Sequence, residues 1–249
     1  ATGVLMADDR AEAIAAAFLR LTDTLVQDYD PADYMADLTD RAITLFEVTA
    51  AGVILEDPQG RGLSVAAASS RSSRLLEDFA IATEAGPCID CVRTGSTMIS
   101  PDLERDADRW PRFVAGAREA GFRACHAVPM CLRGQVIGVL TLLHDAPHLL
   151  SDSDARLAQA LADAATIGLL HERALHRAEE VAGQLQHALN SRVLIEQAKG
   201  MLSQQAGISP QEAFAVLRAS ARRSNVRLAV LSERVIAGVV DHAELAASR

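Results

Sequence analysis

No proline interrupts the chain between Ser151 and Ser209, and Gly168 and Gly183 are the only glycines there before Gly200. Proline breaks a helix interior and glycine weakens one. Ser151, with Asp154 three residues on, supplies a helix start. The stretch therefore predicts one helix from about Asp152 to Gln205, which at 1.5 Å per residue is roughly 80 Å long. That exceeds a single domain, so part of the helix needs a partner. Leu157, Leu161, Ala164, Gly168, His171, Leu175, Ala178, Ala182, Leu185 and Leu189 alternate by four and three residues, the spacing of a coiled-coil seam. Residues 152–190 are read as a coiled-coil linker helix continuous with both flanking domains, and a homodimer as its product. Small residues and a histidine occupy half of the seam. A marginal coiled coil of this kind can shift between packings, which suits signal transmission.

Before that helix the pattern is mixed. Residues 8–27 read as an amphipathic helix, Asp30-Pro31 breaks it, and a second helix covers about Asp33 to Phe46. Ala51–Leu55 and Leu63–Ala68 flank Asp57-Pro58-Gln59-Gly60, a hairpin with turn chemistry. Helix returns from Ser73 to Ala85. Pro87 to Asp102 reads as irregular, with Val92 and Thr97–Ile99 as short strands. A further helix runs from Trp110 to Ala120. Strands Ala124–Leu132 and Val136–Leu143 are joined through Arg133-Gly134-Gln135, the tightest hairpin signal in the chain. The order predicts an antiparallel sheet covered by helices, an α+β design.

Composition narrows the function. Apolar residues make up 49%, enough for a real core, so wholesale disorder is not expected. No run of about 18 apolar residues exists, so no membrane partner is expected. The amino terminus lacks a basic segment followed by an apolar run, so it does not read as a secretory signal. The reading is cytoplasmic, with the four cysteines as reduced thiols. The net charge is −9, but residues 191–249 hold eight Lys or Arg against five Asp or Glu. That segment is +3 and the rest is −12. An acidic body with a basic tail is the asymmetry of a chain whose end meets a polyanion.

The stretches "AAGVIL", "EAGPCIDCVRTG", "AVPMCLRGQVIGVLTLL" and "LSDSDARLAQALADAATIGL" resemble a GAF domain, and the resemblance covers residues 8–170. It implies a sensor that takes a small-molecule ligand, without naming that ligand. Cys88 and Cys91 form a C-x-x-C pair and are the candidate redox residues. Cys125 and Cys131 are too far apart in sequence for a standard zinc knuckle and are read as sharing one strand face. The default for all four is a buried thiol. Some GAF domains resemble free methionine sulfoxide reductases, so a cysteine-based sensor or reductase stays open as an alternative. His126, His144 and His148 are too scattered in sequence to be read as metal ligands. No catalytic residue, metal or cofactor is assigned.

From Ser191 the text changes to "SRVLIEQAKGMLSQQAGISPQEAFAVLRASARRSNVRLAVLSERVIAG". It predicts an all-α three-helix bundle over residues 191–241. Gly207 closes the first helix. Ser209-Pro210-Gln211-Glu212 opens the second with a capping box, and Asn225 caps a third from Val226 to Val240. Arg192 and Lys199 share a helix face, as do Arg218 and Arg222, with Arg223 beside them. Lys199 is the one lysine in the chain, against 23 arginines. "EQAKGML", "GISPQEAF" and "LRASARRSN" resemble an ANTAR domain, the RNA-binding output module of certain antiterminators. The resemblance implies a dimer on paired RNA stem-loops near terminators. It places Ala198, Lys199 and Gly200 in the family signature, with Arg218 beside them, and Gly200 would let RNA approach closely. Arg192, Arg222, Arg223 and Asn225 complete the expected RNA face. Phe214 is assigned to the core, leaving arginine planes and Asn225 to read unpaired bases. A solvated, salt-bridged helix face is the alternative for the arginines, and a protein-interaction scaffold is the alternative for the bundle.

Overall fold

The computed structural model describes residues 7–23, 30–57 and 59–240. The chain divides into two compact units between Ala174 and Leu175. The first unit holds helices α1 (Ala7–Asp23) and α2 (Pro31–Phe46), then strands β1 (Ala50–Glu56) and β2 (Leu63–Ala68). Helices α3 (Arg71–Thr83) and α4 (Pro87–Thr94) precede β3 (Met98–Ser100). After a short 3₁₀ turn come α5 (Pro111–Glu119), β4 (Ala124–Leu132) and β5 (Gln135–His144). The five strands lie in the order β2-β1-β5-β4-β3, and every neighbouring pair is antiparallel.

The sheet is covered on both faces, which is why its central strands are apolar at nearly every position. Val53, Leu55, Val128, Met130, Leu140 and Leu142 point one way, into a core shared with α1, α2 and the start of α6 (Asp152–Ala206). Ile54, Cys125, Ala127, Val139 and Leu143 point the other way, under α3, α4 and α5. Within α6, Ala158, Leu161, Ala162, Ala165 and Leu169 are buried in the first of these cores.

Caps set the helix starts. Asp30 accepts the Ala32 amide at 2.8 Å, with Pro31 at the first helical position. Ser70 and Ser73 form a reciprocal capping box on α3. One expectation fails here. Residues 87–94 are helical rather than irregular, and Val92 lies in α4 rather than in a strand. Pro87 occupies the first helical position, where its missing N–H and fixed φ favour a helix rather than break it. Gly95, at φ 66°, closes the helix by donating its amide to the Cys91 carbonyl at 2.9 Å. The Trp110 Nε1–H donates to Asp90 on α4 at 3.0 Å, tying this helix to the start of α5. The last four residues expected in the first helix, 24–27, lie outside the described residues.

The second unit holds residues 175–206 of α6, then α7 (Pro210–Arg223) and α8 (Leu228–Ile236). Ala198 and Leu202 pack with Ala213, Leu217 and Ala221 of α7 and with Leu231 and Val235 of α8. Gly207, at φ 61°, follows the end of α6. Ser209 and Glu212 form the expected capping box, with the Ser209 hydroxyl accepting the Glu212 amide at 3.2 Å and the Glu212 carboxylate accepting the Ser209 amide at 2.9 Å. The third helix is shorter than expected. Asn225 takes φ 52°, a left-handed conformation. Val226 beside it donates its amide back to the Ala221 carbonyl at 3.0 Å. Asn225 thus closes α7, and α8 begins one turn later behind Arg227.

Candidate nucleic-acid interface

Helix α7 buries one side and exposes the other. Ala213, Leu217 and Ala221 face the bundle core. Phe214, Arg218 and Arg222, spaced by four, share an exposed ridge one residue round the helix from these. Phe214 is 36% exposed. The assignment of this ring to the core is therefore corrected: its neighbours Ala213 and Leu217 fill the apolar side, and one residue's rotation carries Phe214 away from them. Arg192, Arg218 and Arg222 are exposed and make no ion pair among the described residues. Arg223, at the end of α7, is also exposed.

The signature residues on α6 divide into different roles. Ala198 is 0% exposed and forms part of the bundle core. It offers no surface to a ligand, so its place among the expected RNA contacts is corrected. Lys199 is half-buried and paired with Glu196 one turn earlier on the same helix. Gly200 is exposed, and a Cβ added there would meet nothing within 4 Å. Among the described residues, no neighbour requires a glycine at this helical position. Asn225 is exposed beside the end of α7.

The first unit contains a second set of candidate groups. Cys88, Cys91 and Cys125 are fully buried on the α4 side of the sheet. Burial pushes all three thiols up, Cys91 to about 12. A thiol held protonated is a poor nucleophile and a poor redox sensor, so Cys88 and Cys91 have the character of core residues. Cys131, near the end of β4, is half-exposed, and the register of β4 with β5 shifts between Met130 and Cys131 because β5 carries an extra residue at Ile137. Beside these thiols stands Glu77 of α3, 1% exposed, with neither carboxylate oxygen hydrogen-bonded among the described residues. The Thr141 hydroxyl is likewise buried without a partner among the described residues. Burial raises Glu77 to about 8.

His126 meets His144 and His148 in the fold, 18 and 22 residues further along the chain. His144 and His148 stack at 4.6 Å, and His126 meets His148 edge-on at 6.3 Å. Burial lowers His126 to about 4, and its Nε2 accepts the Leu150 amide at 3.4 Å. The in-plane lone pairs of stacked rings do not converge. Among the described residues, no group of three or more His, Cys, Asp or Glu side chains is placed to hold a metal ion.

The GAF domain family matches residues 28–169, more than half of the chain. The chain belongs to that family. Residues 183–236 match the ANTAR domain, so a GAF domain is followed by an ANTAR domain. No curated protein matches the chain. Solved structures similar to the GAF portion include the free methionine-R-sulfoxide reductase from Neisseria meningitidis in complex with its substrate. It shares 19% identity at a TM-score of 0.54, covering 70% of this chain and 98% of that one. The GAF domain from an Acinetobacter phosphoenolpyruvate-protein phosphotransferase shares 12% at a TM-score of 0.53, covering 68% and 97%. A domain of a two-component sensor histidine kinase protein from Sinorhizobium meliloti 1021 shares 16% at 0.52, covering 61% and 99%. At these identities the likeness shows the GAF fold alone.

Sequence reasoning missed Phe214 in the ANTAR domain and Glu77 in the GAF domain. The first was open to detection, since a spacing of four to Arg218 places the two on one ridge. The second carried no signal: a glutamate on an amphipathic helix is ordinarily a solvated residue. No helix among the described residues is long and apolar enough to cross a membrane.

Proposed function

We propose that this chain is a signal-responsive, cytoplasmic transcription antiterminator that grips paired RNA stem-loops as a homodimer. The observation that carries the reading is the α7 ridge of Phe214, Arg218 and Arg222, an aromatic ring and two cations that are exposed on one helix face. Arginines supply phosphate contacts and ring-stacking planes, and an exposed aromatic supplies a stacking platform for an unpaired base. Gly200 supports the same reading, because a glycine in a helix interior costs stability and nothing among the described residues needs one there.

Dimerisation falls to α6. Leu161 and Gly168 of the expected seam belong to the GAF domain interior, Leu161 in its core and Gly168 against Tyr34. The seam available to a second copy therefore starts at the exposed His171, and Leu185 and Leu189 are 60% and 58% exposed. The GAF domain takes a small molecule, and a change there alters pairing of the α6 helices and thereby the presentation of two ANTAR domains. Ala178→Pro tests this coupling: a variant that keeps both RNA affinity and signal response defeats it.

The decisive experiment is filter binding of the full chain to stem-loop RNA at two salt concentrations. Affinity falls with salt if phosphates are contacted. Arg218→Ala and Arg222→Ala each lower it by at least about 1 kcal/mol. An unchanged affinity in both variants defeats the RNA reading and favours the protein-scaffold alternative. The reductase alternative has less support, since burial holds Cys88, Cys91 and Cys125 as thiols.

A further inference from the structure

The GAF domain carries an apolar groove that neither the RNA reading nor the α6 pairing uses. It lies between α3 and α5 and encloses about 590 Å³. On the α3 side stand Leu75 and Phe79, four residues apart, 58% and 39% exposed. Two large apolar side chains beside each other at the surface mark a contact face. On the α5 side the floor is Ala115 and Gly116, and Arg112 and Glu119 line the groove seven residues apart. At that spacing the two charges share one helix face, roughly 10 Å apart along the axis. Among the described residues neither makes an ion pair, although their neighbour Arg118 reaches Glu104 at 4.0 Å.

We propose that this α3–α5 face is a self-association surface that binds the same face of a second copy across a twofold axis. The order of charges selects that occupant. The midpoint between Arg112 and Glu119 falls between Ala115, which is small and exposed, and Gly116, over which the chain's own Phe79 packs, so a second α5 would cross at Ala115 beside that ring. A second α5 laid antiparallel across that midpoint sets Arg112 against the partner's Glu119, and the twofold repeats the pair at the other end. Leu75 and Phe79 are then covered between the charged ends. An anionic small molecule or an acidic peptide would meet Glu119, and a cationic one would meet Arg112. Only a partner with both signs in reversed order satisfies the two ends together, and this chain is such a partner. The face is separate from the exposed part of α6, so the proposal does not rest on the coiled-coil reading.

Sedimentation equilibrium of the full chain tests it, in a Leu185→Asp/Leu189→Asp background that removes pairing through α6. The expected result is a monomer–dimer equilibrium that Arg112→Glu weakens by about tenfold, because like charges then oppose each other. Glu119→Arg weakens it similarly, and the double swap Arg112→Glu/Glu119→Arg restores it. Rescue by the swap also shows that each single variant failed through its charge rather than its folding. A chain that stays monomeric to about 100 µM, a range covering ordinary weak association, overturns the proposal. So does a dimer indifferent to Arg112→Glu, or a double swap as weak as the single variants. Any of these would leave the groove to a different occupant.

Discussion

The carboxyl group of Glu77, on α3, lies against the backbone of Gly52, on β1, in the space that a Cβ at position 52 would occupy. Gly52 pairs with Thr141 across the two central strands, so the acid rests over the middle of the sheet. Gly52→Ala therefore overpacks a site whose neighbour is buried and cannot swing into water. Unfolding by denaturant is expected to show a loss of about 1–3 kcal/mol. Combining Gly52→Ala with Glu77→Ala removes the overlap and recovers part of that loss. If Gly52→Ala alone is neutral, the packing described for Glu77 is wrong.

The same carboxyl group makes stability depend on pH. Burial raises Glu77 from an ordinary 4.5 to about 8, so the folded state holds a proton that the unfolded state has released. The contribution is intact below about pH 4.5 and is lost progressively as pH rises toward about 8, at roughly 1.4 kcal/mol per unit at most. Glu77→Gln, which stays neutral, is expected to flatten the stability profile across this window and to melt above the parent at pH 8. Parallel profiles for the two proteins would show that Glu77 is not held protonated.

Gly200 separates stability from binding. An alanine there meets no neighbour and suits a helix interior better by about 0.5–1 kcal/mol. Gly200→Ala should therefore raise the thermal midpoint of the chain while lowering its affinity for stem-loop RNA. A variant that is more stable and binds RNA as tightly as the parent would remove Gly200 from the interface.

Phe214 makes the reverse prediction. Because the ring is 36% exposed, Phe214→Ala costs less stability than loss of a buried aromatic. A base stacked on the ring is worth about 1–3 kcal/mol, so RNA affinity falls by that amount, and Phe214→Tyr retains it. Fluorescence titration with stem-loop RNA, alongside a helical circular-dichroism signal unchanged by the substitution, distinguishes a stacking platform from a packing residue.

Much of this architecture is written in local patterns. A run without proline between Ser151 and Ser209 appears as one helix, Asp152–Ala206. Ser209, Pro210 and Glu212 place the start of α7 by backbone satisfaction within four residues. Central strands announce themselves as apolar runs, and Arg133-Gly134 marks the turn between β4 and β5. All of these depend on interactions a few residues long, which a sequence displays directly.

The misread elements depend on what lies across the fold. Whether Pro87 starts a helix or ends one rests on the flanking Gly86 and Gly95 and on Trp110 reaching Asp90. An extra residue at Ile137 shifts the register of β5 against β4 after Met130, and strand alternation alone carries no sign of it. His126, remote in sequence from His144 and His148, meets that stacked pair edge-on when β4, β5 and the segment before α6 come together. Apart from α4, the succession of elements could be read from the amino acids alone, as could the long helix, the caps of α3 and α7 and the cationic tail, because periodicity, turn chemistry and formal charge are local properties. Which side chains lose water emerges from the packing of the whole fold: Ala198, Glu77 and the α4 thiols are enclosed, while Phe214 is left exposed. Burial is set by contacts between distant segments, and it is burial that fixes whether a carboxyl stays protonated, a thiol stays inert or a ring is free to stack.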